Sequence, residues 1–344
     1  MKKLSKISAS LLCVALIVTL TAAFVACKDA DETTEGKYTM VVPDGAPALA
    51  TVNLLDEIQK NGSFGDLGEV EIVASNTIST RALGADFAVV PANLAANLYN
   101  KGQSVKLLAT VTQGNLYVLG VNSAVETLSD LIGKRVFSIG QGSVPDFIFQ
   151  TLLANEGIVY EQGDKAQAGK VTITYVADGS GVMSQLVQAK NSGEEAIGVI
   201  AEPAASNAFS KAGAVELFDL QQLWKEYTGS ETTGYPQAVL IAKTSVCEED
   251  PDFVAALLQK MSENGAFIIE NSDKVSGILV KAYPQTSLNT ALSSTTLARC
   301  NCNLVQADAA KDDYQEMLRA ILAINPAAIG GKLPDDGLYY SANK

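Results

Sequence analysis

The 344-residue chain contains no histidine, one tryptophan, five cysteines and four arginines, at Arg81, Arg135, Arg299 and Arg319. Without histidine, His–Asp and His–Cys catalytic dyads, imidazole metal ligands and a histidine pH switch are excluded. Positive charge is scarce as well. The formal net charge is −13, and beyond residue 26 there are 38 acidic against 22 basic side chains. Such a surface repels a phosphate backbone, so nucleic acid is not an expected partner. No Walker A segment, no GxGxxG in a strand–helix context and no GxSxG nucleophile elbow occurs. Beyond the N-terminal segment, no apolar run approaches the roughly 18 residues of a membrane-spanning helix. What is present is a chain that is 47% hydrophobic and 18% charged, long enough for two domains that each bury a core.

The first 26 residues carry Lys2, Lys3 and Lys6, then an apolar run to Ala26 with no acidic residue. That order is the layout of a secretory signal rather than of a folded segment. Ala26 precedes Cys27, with Val25 and Phe24 before it, and this resembles the lipobox of bacterial lipoproteins, in which the cysteine is lipidated after cleavage. The resemblance implies a signal peptide over 1–26 and a palmitate-bearing lipid anchor at Cys27; the alternative is an uncleaved membrane anchor with Cys27 incidental. Residues 28–37 are polar and without periodicity, as a short tether requires. Of the remaining cysteines, Cys247, Cys300 and Cys302, one pair is free to bridge outside the cytoplasm, or all three stay thiols.

From Tyr38 onward strand and helix signals alternate. Strands are predicted at 38–42, 69–75, 86–90 and 105–111, with helices after the first and third, and the pattern restarts with strands at 116–121, 134–139, 170–176, 196–201 and 215–220. A strand at 235–246 follows, and then a mainly helical region from 251 to 324, opened by Asp250 as N-cap and Pro251 at the first helical position. The alternation predicts α/β units with largely parallel sheets. No low-complexity linker separates the two units, so they are expected to be lobes joined by strands.

In an open α/β sheet, ligands bind beyond the carboxyl ends of the strands. Several predicted strands here end in Gly, Pro, Ser or Asn clusters that lead directly into a helix. The clearest is the Gly140-Gln141-Gly142-Ser143 segment, with Ser143 as N-cap, Pro145 and Asp146 in the first turn, and backbone N–H groups able to hold an anion or a carbonyl oxygen. Others are Asp44, Gly45, Ala46 and Pro47; Asn76 and Thr77; Ala92 and Asn93; Gly179, Ser180 and Gly181, with a helix from Val182; and Glu202. Gln113, Gly114 and Asn115 fall at the boundary of the two units, where polar side chains interrupt apolar neighbours, and Tyr117 and Tyr235 are candidate aromatic walls. Any one of these segments is ordinary turn chemistry; their recurrence after strands in both units is what points to a shared cleft. No metal site, cofactor site or catalytic constellation is expected.

The segments VVPDGAPALA, DFAVVPANLAANLYNKG, TLSDLIGKRVFSIGQGS, AIGVIAEPAASNAF and the helix start DPDFV, in that order, resemble solute-binding lipoproteins of bacterial ABC importers. More narrowly, the chain is similar to the nitrate/sulfonate/taurine branch, which includes thiamine-pyrimidine binders. The resemblance covers nearly all of the chain after Cys27. It implies a two-lobed type II periplasmic-binding-protein fold with a largely helical C-terminal part. Lobe 1 would comprise 38–112 and 240–344, and lobe 2 would comprise 113–239. It also implies a monomer, held outside the cytoplasm by its lipid, that closes on a small solute and delivers it to a permease with its ATPase. The solute class stays open among pyrimidines, amines and sulfonates. Asp44 at the cleft would count against a sulfonate or nitrate. Two alternatives remain: a surface sensor or adhesin on the same fold, and an enzyme. The pyrimidine synthases that resemble this branch consume a histidine of their own, which this chain lacks.

Overall fold

The computed structural model describes residues 36–229 and 234–341; the expected signal segment and Cys27 lie outside them. Twelve strands among the described residues form two six-stranded sheets. The first contains β1 (Tyr38–Pro43), β2 (Leu67–Val73), β3 (Phe87–Pro91), β4 (Val105–Gln113), β11 (Pro236–Lys243) and β12 (Val305–Gln306), in the order β12-β4-β11-β3-β1-β2. The second contains β5 (Leu116–Val121), β6 (Arg135–Ser138), β7 (Tyr160–Gln162), β8 (Val171–Tyr175), β9 (Ala196–Ala201) and β10 (Val215–Asp219), in the order β10-β5-β9-β6-β8-β7.

Strands in the middle of each sheet read as near-continuous apolar runs because helices cover both faces. All six residues of β5 are buried, and β1 exposes only Thr39. Both sheets are largely parallel, as the sequence predicts: four of the six strands in the first and five of the six in the second run one way, with β11 and β12 reversed in the first and β5 in the second. In the first sheet β1 pairs in parallel with β2 and β3, but β11 is antiparallel to both β3 and β4. In the second, β5 is antiparallel to β9 and β10, whereas β6, β8 and β9 are parallel neighbours. The cause is the route of the chain. It leaves the first sheet through Gly114 and Asn115 between β4 and β5, and returns after the helix Leu220–Thr228 into β11. A strand entering from the other sheet must run against those that set out from its own. The strand β11 spans the expected 239/240 boundary and pairs with the first sheet along its length.

Helix starts follow their caps. Asp250 accepts the Phe253 N–H at the head of the Pro251–Ser262 helix, and Asp219 accepts from Gln221 and Gln222 at the head of Leu220–Thr228. The helix Gly179–Ser192 starts three residues before the expected Val182, and Asp178 caps it by accepting the Gly181 N–H. The helix Ala307–Ile324 packs on β4 and β11 and also on the helix Val144–Asn155 beside the second sheet. One hydrophobic cluster therefore runs from Val90 and Ala92 through Tyr314 and Met317 to Phe147 and Leu152. The C-terminal segment returns to the first sheet, where the Tyr340 N–H donates to the Leu107 carbonyl at 2.9 Å. No helix of the described residues is long and apolar enough to cross a membrane.

Candidate functional site

Strands β3 and β4 run in the same direction, so their carboxyl ends lie at one end of the first sheet, and both reach the second sheet there. Asn93, two residues past β3, donates through Nδ2 to the Gly142 carbonyl at 3.4 Å. Asn115, two residues past β4, accepts the Glu202 N–H on its carbonyl at 3.0 Å. The loops after β3 and β4 thus meet the loops after β6 and β9 along a seam between the sheets, and Ala92, Asn93, Gln113, Gly114, Asn115, Gly142 and Glu202 stand along it. Gly114 is tightly enclosed: a Cβ there would lie 2.7 Å from the Gln221 Cγ and 2.9 Å from the Tyr235 ring.

Several polar groups at the seam are already committed. The Glu202 side chain, 2% exposed, accepts the Ser206 N–H and hydroxyl and the Arg299 Nε. The N–H of Gly142 donates to the buried carboxylate of Asp146, and that of Ser143 to the Gly140 carbonyl. The Ser143 hydroxyl also bonds the Gly140 carbonyl instead of capping its helix. The N–H groups of Gly142 and Ser143 are therefore spent inside their own loop. Gly142 itself has φ +72° with open space around its Cα, so glycine serves the backbone turn there. Burial pushes the Asp146 carboxyl above the ordinary carboxylate range, against the hydrogen bonds it accepts from Gly142, Tyr175 and Gln150.

Other expected residues stand away from the seam or are closed off. Asp44 accepts the Thr286 hydroxyl at 2.6 Å and the Ser287 N–H at 2.8 Å, so its carboxylate anchors a C-terminal loop and its argument against an anionic solute falls. Gly45 opens a four-residue helix that includes Ala46 and Pro47, and the Ala46 carbonyl faces the Cys302 thiol. Asn76 and Thr77 are exposed, and the Thr77 hydroxyl bonds only the nearby Ala74 carbonyl. Gln141 bonds Gln162 within the second lobe. Gly179 lies against Ala204 and Gly181 against Val176, while Ser180 is exposed. Tyr235 is fully buried, donates to Gln221 and packs on Trp224, so it is interior packing rather than a cleft wall. Tyr117 is covered by the Arg299 guanidinium, 4.1 Å from its ring centroid.

Sequence reasoning missed Arg299, whose partners lie 97 and 83 residues away, and Asp146 as the anchor of the Gly142 loop. Beside Arg299, a polar crevice of about 240 Å³ opens at the crossover, lined by Gly114, Tyr117, Asp219, Lys225 and Asn301 among others. A larger open groove of about 570 Å³ is lined by the helix Gly179–Ser192 alone. Cys247, Cys300 and Cys302 are all buried free thiols.

No curated protein matches the chain. Among solved structures it is similar to an ABC transporter protein from Parabacteroides distasonis, at 22% identity and TM-score 0.68, covering 89% of this chain and 99% of that one. It is similar to the periplasmic aliphatic sulphonate binding protein SsuA from Escherichia coli, at 16% identity and TM-score 0.62, covering 88% and 92%. The alkanesulfonate-binding protein SsuA from Xanthomonas axonopodis pv. citri bound to MOPS is similar at 14% identity and TM-score 0.56, over 88% and 96%. These likenesses show the two-lobed type II periplasmic-binding fold with a helical C-terminal region. The family model for NMT1/THI5-like proteins matches residues 66–275, more than half of the sequence, and the chain belongs to that family.

Proposed function

We propose that this protein is the extracytoplasmic solute-binding component of an ABC importer, which captures a small organic solute at the seam between its lobes and hands it to a permease. The observation that carries this reading is the meeting of strand-end loops from both sheets, with Asn93 reaching Gly142 across them. The two sheets serve as the lobes. The hinge is the pair of connections at Gly114–Asn115 and between the Leu220–Thr228 helix and β11, and closure is a hinge motion about them. The segments along that seam, Ala92–Asn93, Gln113–Asn115, Gly142 and Glu202, border the solute. Binding and release involve no covalent step, no metal and no cofactor. The similar structures include sulfonate binders, while the notable scarcity of cations at this seam leaves pyrimidines and amines equally in view.

A thermal-shift screen of pyrimidines, amines, sulfonates and flavins should find a stabilising solute, and small-angle scattering at saturation should then show a smaller radius of gyration. A radius unchanged at saturation defeats closure, and a screen without a stabilising compound defeats solute capture. We place the mature protein outside the cytoplasm on a lipid carried by Cys27. The Cys27→Ala variant should leave the membrane fraction for the soluble one; retention at the membrane defeats the anchor.

A further inference from the structure

Residues 299–301 belong to the first lobe and hold the chain where it crosses to the second. Leu297, Cys300 and Cys302, around them, are buried in the hydrophobic cluster that also contains Met40, Phe87 and Leu240 of the first sheet. Three hydrogen bonds run from this segment to the crossover between β4 and β5. The Asn301 carbonyl accepts the Gln113 N–H at 3.0 Å, the Asn301 Nδ2 donates to the Gly114 carbonyl at 3.2 Å, and the Cys300 carbonyl accepts the Asn115 Nδ2 at 3.2 Å. Asn301 has φ +53°, in the left-handed region that asparagine enters more readily than most residues. From that conformation its carbonyl and its side-chain amide both reach the crossover.

Arg299, next to them, reaches the second lobe. It donates to Glu202 after β9 and to Glu216 on β10, and its guanidinium lies 4.1 Å from the Tyr117 ring centroid on β5 and 5.6 Å from that of Phe209. Three consecutive residues of the first lobe thus grip the crossover and the second lobe together. Two chain connections define an axis about which the lobes can turn, and a third contact that spans both lobes resists that turn while it is held. The resistance sits mainly in the Glu202 bond. The Glu202 side chain is 0% exposed and is costly to leave unpaired, whereas that of Glu216 is 36% exposed and is readily hydrated. The polar crevice of about 240 Å³ beside Arg299, bordered across from Ala298 and Asn301 by Asp219 and Lys225, gives the guanidinium room to leave its partners.

We infer that Arg299, Cys300 and Asn301 form a clasp between the lobes, which fixes their relative orientation until Arg299 lets go of Glu202 and Glu216. Asn301 and the Cys300 carbonyl keep the crossover attached to the first lobe, so the second lobe swings only when the guanidinium is released. Arg299 is a positioning residue. The inference goes beyond the importer reading, since it concerns the protein with no solute added and holds whatever the solute is.

The test compares the wild-type chain with Arg299→Ala, Arg299→Lys and Glu216→Gln, without solute, by small-angle scattering and amide hydrogen exchange. Arg299→Ala should shift the radius of gyration to a larger value. It should also speed exchange in residues 112–116 about 5- to 150-fold relative to β1, which serves as the control for global opening. Arg299→Lys keeps the charge but loses the planar fork, and Glu216→Gln loses only the outer arm, so both should shift in the same direction by less. An ion pair that only adds stability would lower Tm and leave the radius alone. A folded Arg299→Ala with the wild-type radius therefore overturns the clasp, whatever its exchange shows. If Arg299→Ala does not fold, the two milder variants decide: a larger radius in either supports the clasp, and the wild-type radius in both overturns it.

Discussion

The Arg299 guanidinium, carried by the first lobe, donates through Nε to Glu202 of the second lobe at 2.6 Å and through a terminal nitrogen to Glu216 at 3.0 Å. Glu202 is almost wholly buried, whereas about a third of the Arg299 side chain is exposed. Removing the cation leaves a buried carboxylate with only the Ser206 groups to stabilise it. Arg299→Ala should cost roughly 1–3 kcal/mol, between the values for exposed and fully buried pairs. Adding Glu202→Gln should recover part of that loss in urea unfolding. A double variant no more stable than the single one would show that the ion pair is not the source of the effect.

Gly114 is where the first sheet hands the chain to the second, and its lack of a side chain is a packing requirement. A methyl group there meets the Gln221 Cγ at 2.7 Å and the Tyr235 ring at 2.9 Å, and neither neighbour is free to move. Gln221 accepts both the Leu116 N–H and the Tyr235 hydroxyl, and Tyr235 is 0% exposed. Gly114→Ala should destabilise the protein by about 1–3 kcal/mol through overpacking. Calorimetry checks it; an unchanged Tm would mean that Gln221 and Tyr235 reseat without cost.

The sheets were legible where burial on both faces makes a strand one apolar run. The reading of 116–121 and 196–201 coincides with β5 and β9. The reversed direction of β5 and β11 was not legible, because it follows from where the chain crosses between sheets, and no local pattern records that. β7 and β12, three and two residues long, are too short for any periodicity to show. The strand-end loops were found because turn residues announce themselves locally. Which of their atoms remain free was hidden, since the partners are distant: Asp44 is bound 242 residues away, and Glu202 by Arg299 97 residues away. Asn93 and Asn115 were found by position, but the sense in which their amides point is a tertiary fact.

The three described thiols should be inert in the native state. Burial pushes Cys247 up to about 11 and Cys302 up to about 12, and raises Cys300 as well, so hardly any nucleophilic thiolate exists near neutrality. All three should resist a thiol reagent at pH 8 until denaturant is added, and a reductant should leave Tm unchanged. Fast labelling of any of them in the folded protein, or a Tm that falls on reduction, contradicts this.

Asp146 carries a pH signature of its own. Burial raises its carboxyl pKa in the folded state, although Gly142, Tyr175 and Gln150 all donate to it. A raised value means that the native state keeps the proton at a pH where the unfolded chain has released it. The stability this confers is complete below the unfolded value of about 3.9 and is lost as the pH rises through the folded one. Asp146→Asn has no such proton to lose. It should be less stable than the wild type in acid, since an amide cannot reproduce all three hydrogen bonds, and the gap should narrow as the pH climbs from 4 to 7. Every other carboxylate cancels in the difference between the two proteins, so the trend isolates this side chain. Urea unfolding of both proteins at intervals over that range measures it. A gap that widens with pH would mean that the hydrogen bonds outweigh burial and that the Gly142 loop is held by a carboxylate stabilised in its charged form.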